Sequence, residues 1–192
     1  MSPIVHGMIA WLIAVLFVKQ VNDRRLIVIA GVVLDIDGIF ILLNDSSYAE
    51  FHHTFGHSLV FGLLVAMVAL TLSVDKLKVF FGALSAFSLH LVADIVGTNW
   101  PVPIFYPLSD FSLTANSFLT QNQIYSIINP TVFIICLVLI FILMYRKTIS
   151  PIEFISEKLD KYVIRRIFPM KRNCMENSNK LEKSPPVQEL ID

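Results

Sequence analysis

Five apolar runs, at roughly 3–18, 26–43, 58–74, 77–97 and 124–145, set the terms on which this chain can fold. A helix needs about 20 mainly apolar residues to cross a bilayer. The fourth and fifth runs meet that length, the first and third are shorter, and Asp35 and Asp37 interrupt the second. No basic segment precedes the first run, so it does not read as a signal peptide. Only 16% of the residues are charged, against about 25% in soluble domains. The fold expected is an all-α polytopic membrane helical bundle of about five transmembrane helices.

Basic residues sort the connections. Lys19, Arg24 and Arg25 follow the first run, Lys76 and Lys78 follow the third, and the other ten of the 15 Lys and Arg residues lie from Arg146 onward. Segments 44–57 and 98–123 hold none. In a five-span chain every Lys and Arg then falls on one face of the membrane. Cytoplasmic loops are enriched in these residues, so the N-terminus is expected outside and the C-terminus in the cytoplasm. The two cysteines, Cys136 and Cys174, imply no disulfide framework and match no zinc motif.

Three regions follow: a transmembrane helical domain over 1–147, an amphipathic membrane-surface helix over 148–170 and a disordered cytoplasmic tail over 171–192. In the second region Ile152, Ile155, Leu159, Tyr162, Val163 and Ile167 recur at helical spacing among Lys158, Lys161, Arg165 and Arg166. Such a helix suits the inner membrane surface and anionic lipid. A short helix packed on the protein's own inner loops fits the pattern equally. The third region is polar, lacks periodicity and carries Pro185-Pro186.

Ionisable side chains in hydrocarbon are costly and normally face one another or a cavity. All five histidines, His6, His52, His53, His57 and His90, lie in or beside the first four runs, with Asp35, Asp37 and Asp94. The charge-derived topology places each of them toward the outer side. Small-residue stripes run alongside: Gly82, Ala86, His90, Asp94 and Gly97 in the fourth run, Gly31, Asp35 and Gly38 in the second, His6, Ala10 and Ala14 in the first. Small residues mark close helix contact in membranes, so the acids and imidazoles point into the bundle. The fifth run has no such stripe and reads as peripheral.

Imidazole nitrogen and carboxylate oxygen are ligands for zinc, manganese or iron. His90 and Asp94, at i and i+4, put one of each on one helix face. His52 and His57 offer two more at a loop-to-helix junction, and Asp35 and Asp37 offer two carboxylates if the helix breaks near Gly38. We expect His57, His90 and Asp94 as ligands, then Asp35, His6 and His52, with Asp37 as general base or supporting partner. One or two divalent ions, zinc or manganese, suit the set. A hydrogen-bonded His90–Asp94 pair without metal, and solvent-facing roles for His52 and His53, stay open.

The order of these motifs resembles a known family. An N-terminal His is followed by Leu-Asp-Ile-Asp at 34–37, His-x4-His-Ser at 52–58, and His-x3-Asp with Gly-Thr-Asn-Trp-Pro and Tyr-Pro-Leu-Ser over 90–109. This resembles the membrane-bound metal-dependent hydrolase family of bacteria and archaea, the YdjM-like inner-membrane proteins, over about residues 3–145. The family's Leu-Pro-Asp-x-Asp lacks its Pro here, and His53 and Gly56 stand where Arg and Thr are usual.

The function expected is a metal-dependent hydrolase with its site near the outer leaflet, acting on a phospholipid or lipid-linked phosphoester. The alternatives are a metal-ion or proton transporter and a non-catalytic membrane scaffold. Partners are the lipid bilayer and an amphiphilic substrate. Nothing in the sequence suits nucleic acid, since the basic residues sit beside the membrane.

Overall fold

The computed structural model describes residues 1–36, 55–114 and 119–169. These residues form helices and one isolated antiparallel bridge, between Val102 and Leu113. The chain divides into two compact units, Met1–Phe141 and Ile142–Asp192.

In the first unit, α1 (Pro3–Phe17) begins at Ser2, whose hydroxyl faces the Val5 amide, with Pro3 in the first turn. Both features suit a helix start. Helix α2 (Val21–Val32) opens on Asp23, an acid in the first turn where the macrodipole favours it, and gives way to a 3-10 turn over 33–36. Helix α3 (Leu59–Leu72) is capped by the Ser58 hydroxyl, which accepts from the Phe61 amide at 3.2 Å. Helix α4 (Lys76–Gly97) packs against α1, α2 and α3 and is the axis of the bundle. Helix α5 (Gln121–Lys147) is a continuous apolar helix with a π-helical stretch at Ile124–Ile128.

The expectation of about five spans needs correcting on length. Among the described residues, only α4 and α5 are long and apolar enough to cross a membrane. Helices α1 and α3 are apolar but have 15 and 14 residues. At 1.5 Å per residue they reach about 21–22 Å, short of a hydrocarbon core of about 30 Å. The second apolar run, expected over 26–43, is helical from Val21, and α geometry stops at Val32 before Asp35. What lies beyond residue 36 in that run is outside the described residues.

Close approach of backbones joins the four helices. A Cβ at Gly31 of α2 would stand 2.5 Å from the Ala10 Cβ of α1 and 3.2 Å from the Ala86 Cβ of α4. One at Gly62 of α3 would enter the Phe87 ring of α4 at 2.3 Å. Small residues thus serve as the contact surfaces that their spacing predicted. Leu34, Phe87, Leu91 and Val102 form a buried apolar cluster beside them.

Large apolar side chains cover much of the outside. Leu63, Leu64, Met67 and Val68 on α3, Phe81, Leu89 and Val92 on α4, and Ile134, Leu137 and Val138 on α5 are exposed. Contiguous exposed apolar surface of this kind suits lipid rather than water.

One end of the bundle is closed by a polar clamp. The buried Asp23 carboxylate accepts from the Val74 and Asp75 amides at 3.0 and 2.9 Å, tying α2 to the α3–α4 turn. Arg24, also buried, donates to the carbonyls of Val18 and Lys19.

Gly31→Ala should lower the stability of the detergent-solubilised protein by about 1–3 kcal/mol, because Ala10 and Ala86 offer no flexible atoms to move aside. Gly7→Ala, whose Cβ would meet only Val32 at 3.7 Å, should be near neutral. A thermal melt in which Gly31→Ala matches Gly7→Ala would contradict this packing.

Candidate metal centre

The end of the bundle opposite the Asp23 clamp gathers His6, Asp35, His57, His90 and Asp94, from four different helical segments or turns. The start of α1 places His6 one turn in from its Ser2 cap. The 3-10 turn after α2 carries Asp35. His57 ends the 3-10 turn Phe55–His57, immediately before the Ser58 cap of α3. His90 and Asp94 lie one turn apart near the end of α4, where Thr98 closes the helix with its amide and hydroxyl on the Asp94 carbonyl.

Asp94 is the hub. Its Oδ1 lies 3.1 Å from His6 Nε2, and its Oδ2 lies 3.0 Å from His90 Nε2 and 3.3 Å from His57 Nε2. The amino group of Met1 also pairs with Oδ1. Asp35 Oδ1 stands 3.5 Å from His90 Nε2. The rings of His6 and His90 stack at 3.5 Å with planes 13° apart, and His57 meets His90 edge-on at 5.3 Å. His6, His57, His90 and Asp94 are all buried to within 1% of full coverage.

The other ring nitrogen of His90 settles its tautomer. His90 Nδ1 lies 2.7 Å from the Gly31 carbonyl oxygen. A carbonyl only accepts, so Nδ1 carries the proton, and in the neutral ring Nε2 presents a lone pair. That lone pair faces two carboxylates yet makes no hydrogen bond among the described residues; both nitrogens of His6 are likewise without one. Lone pairs and carboxylate oxygens turned toward one another repel unless a proton or a metal cation lies between them. A backbone carbonyl fixing the far nitrogen is the usual support of a metal-ligating histidine.

The dimensions fit a metal. One ligand atom from each of His6, Asp35, His90 and Asp94 lies within 4.8 Å of the other three. Within this set the nitrogen–oxygen separations are 3.1 and 3.0 Å from His6 and His90 to the two oxygens of Asp94 and 3.5 Å from His90 to Asp35, near the roughly 3.3–3.4 Å ligand–ligand edge of a tetrahedral site with bonds of about 2.0–2.1 Å. Two imidazoles and two carboxylates are a donor set for zinc, manganese or iron.

Of the residues expected from the sequence, His6, Asp35, His57, His90 and Asp94 come together. His52, His53 and Asp37 lie outside the described residues. Sequence reasoning missed the Gly31 carbonyl and the Met1 amino group. Gly31 did stand out as a small residue one turn before Asp35, but backbone acceptors leave no residue-type signal.

Beside this cluster the segment after α4 turns back across the bundle end. The Leu59 amide of α3 donates to the Ile104 carbonyl at 2.8 Å, and Val102 and Leu113 exchange two backbone bonds. Val102 is buried, while Trp100, Phe105, Tyr106, Leu108 and Phe111 are exposed.

The tautomer has a direct test. Nitrogen-15 NMR of histidine-labelled protein should find the His90 proton on Nδ1 in the neutral ring; a proton on Nε2 alone would contradict the bond to Gly31. Among known proteins, the family model described as YdjM inner membrane protein matches residues 1–152, and that description names a location without an activity. No curated protein and no solved structure matches the chain.

Proposed function

This chain belongs to the YdjM inner membrane protein family, and within that frame we propose that it is a membrane-embedded metal-dependent hydrolase. His6, Asp35, His57, His90 and Asp94 hold one or two divalent ions, zinc or manganese. The observation that carries the reading is the buried meeting of imidazole nitrogens and carboxylate oxygens around Asp94, with His90 locked by Gly31 into the tautomer of a ligand. A divalent ion there supplies Lewis acidity, polarising the bond to be cleaved and making a water easier to deprotonate. The chain's own residues hold and orient that centre: Gly31 fixes His90, the Thr98 cap fixes the α4 backbone at Asp94, and Ser58 fixes the helix start behind His57. Asp37, and His52 as a further ligand, complete the proposal from sequence.

In this reading α4 and α5 cross the membrane, and α1, α2 and α3 lie beside α4 as shorter partners. The site end faces outward. Lys19, Arg24, Arg25, Lys76 and Lys78 all belong to the opposite end, which favours a cytoplasmic position there and an outside N-terminus. Exposed Trp100, Phe105, Tyr106 and Leu108 beside the site suit the outer interface, where aromatic side chains concentrate. A buried polar cluster bordered by such a loop favours an amphiphilic substrate, a phospholipid or lipid-linked phosphoester. Transport is the weaker reading, because Asp23 and Arg24 at the other end are engaged with loop backbone and offer no second station.

Metal stoichiometry alongside thermal stability tests the site. His90→Ala and Asp94→Ala should each lower bound metal severalfold or more, and the double variant should be little worse than either, because both serve one centre. A buried pair without metal predicts unchanged metal content, destabilised single variants and partial recovery in the double apolar variant. Unchanged stoichiometry in both single variants would reject the assignment.

Orientation is tested separately in intact cells with Cys136 and Cys174 replaced by Ser. A membrane-impermeant thiol reagent should reach Leu108→Cys and miss Lys158→Cys. Labelling of the second alone, or of both equally, would reject the topology.

A further inference from the structure

The second unit carries a surface that the metal site does not use. It begins within α5, and after residues 148–150 a 3-10 turn, Pro151–Phe154, leads to α6 (Glu157–Ile167). Ser156 caps α6 and separates it from the turn, so the helix expected over 151–168 is two elements. Asp160 holds them together: its buried carboxylate accepts from both the amide and the hydroxyl of Ser150. Ile164 on the same side is buried, as is Met144 of α5. The inward face of α6 therefore is committed to its own unit.

The opposite side is not. Leu159 and Tyr162 on α6, with Ile155 just before its Ser156 cap, form an exposed apolar strip, Ile155 being 78% exposed. Arg166 continues the strip, its guanidinium 5.6 Å from the centre of the Tyr162 ring. Lys158, Lys161 and Arg165 line one flank, all exposed, and Glu157 is the one exposed acid of the helix. An apolar strip bordered by cations is the profile of an interfacial helix.

Its position is constrained. Three residues, 148–150, separate α5 from the turn and reach about 10 Å at most when extended. Phe168, just past α6, packs edge-on against Tyr145 in the last turns of α5, with ring centres 5.6 Å apart. Both ends of the turn–helix segment are thus kept close to the end of a membrane-spanning helix. The remaining tail, 170–192, has four basic and four acidic residues and offers no net charge to complement the cations.

We propose that α6 docks its Ile155–Leu159–Tyr162 strip and surrounding Lys and Arg residues on anionic lipid at the bilayer face where α5 ends. The proposal stands apart from the hydrolase reading: it uses no residue of the site and holds whether or not metal binds. Aliphatic and aromatic groups enter the headgroup region, the cations meet lipid phosphates, and Asp160 stays buried against Ser150.

The test uses the full chain with Cys136→Ser, Cys174→Ser and Leu159→Cys, labelled with an environment-sensitive fluorophore. It is reconstituted in phosphatidylcholine vesicles with or without phosphatidylglycerol. In the anionic vesicles the emission should shift to the blue and be quenched by lipids spin-labelled near the headgroup, with both effects weaker in phosphatidylcholine alone. Converting Lys158, Lys161, Arg165 and Arg166 to Gln should reduce the bound-to-free ratio about fivefold per cation removed. A second probe at Ile155→Cys should behave alike, and both positions are exposed, so neither label disturbs the buried face. Equal quenching in both vesicle types would overturn the role of anionic lipid. A blue shift without lipid quenching would mean that another protein segment or a second copy covers the strip, and would overturn the proposal. So would an unshifted, unquenched probe.

Discussion

Burying the Asp94 carboxylate inside an apolar bundle is the constraint around which the first unit is organised. A charged side chain at membrane depth costs about 3 kcal/mol or more even on the most lenient scale, so its surroundings must compensate. The Met1 amino group pairs with one of its oxygens, and three imidazole nitrogens stand 3.0–3.3 Å from the two, each able to compensate the charge only through a proton or a shared cation. Bringing side chains from the ends of four helices to one carboxylate requires helices close enough to touch by backbone. Gly31 against Ala10 and Ala86, and Gly62 against Phe87, provide that approach. Gly31 serves twice, since the same close contact brings its carbonyl within 2.7 Å of His90. Packing and chemistry are in this sense one arrangement.

The two ends of the bundle handle polarity differently. At one end Asp23 and Arg24 are buried but satisfied by backbone groups of neighbouring turns, which makes them a structural clasp. At the other, ring nitrogens of His6 and His90 face carboxylate oxygens and make no hydrogen bond among the described residues. Buried polar groups that fail to pair are rare and call for a ligand or a function. The contrast separates a joint from a site within one small bundle.

Much of this was legible from residue types alone. The apolar runs located the helices, and the i,i+4 spacing of His90 and Asp94 beside a small-residue stripe located the hub. His6, Asp35 and His57 were identified as members because ionisable residues in apolar runs seldom lack partners. Length was less legible in the second run, where hydrophobicity continues past the 3-10 turn at 33–36 that ends α geometry. Arg24 counted only as a charge in the first connection and Asp23 drew no reading, because burial at a helix start depends on a turn 51 residues away. The Gly31 carbonyl was invisible in principle, as every residue has one. In the second unit periodicity ran across Ser156, whose capping role divides one apparent helix into a turn and a helix.

The central claim is that the convergence on Asp94 is a metal centre rather than a proton-sharing cluster. X-ray absorption on the purified protein, taken at the edge of whichever metal elemental analysis finds, probes this most directly. The account predicts a first shell of nitrogen and oxygen only, at about 2.0–2.2 Å, with the outer-shell scattering of more than one imidazole, lost together with the metal in His90→Ala. Protein free of metal after reconstitution with zinc or manganese, or a shell containing sulfur, would contradict it.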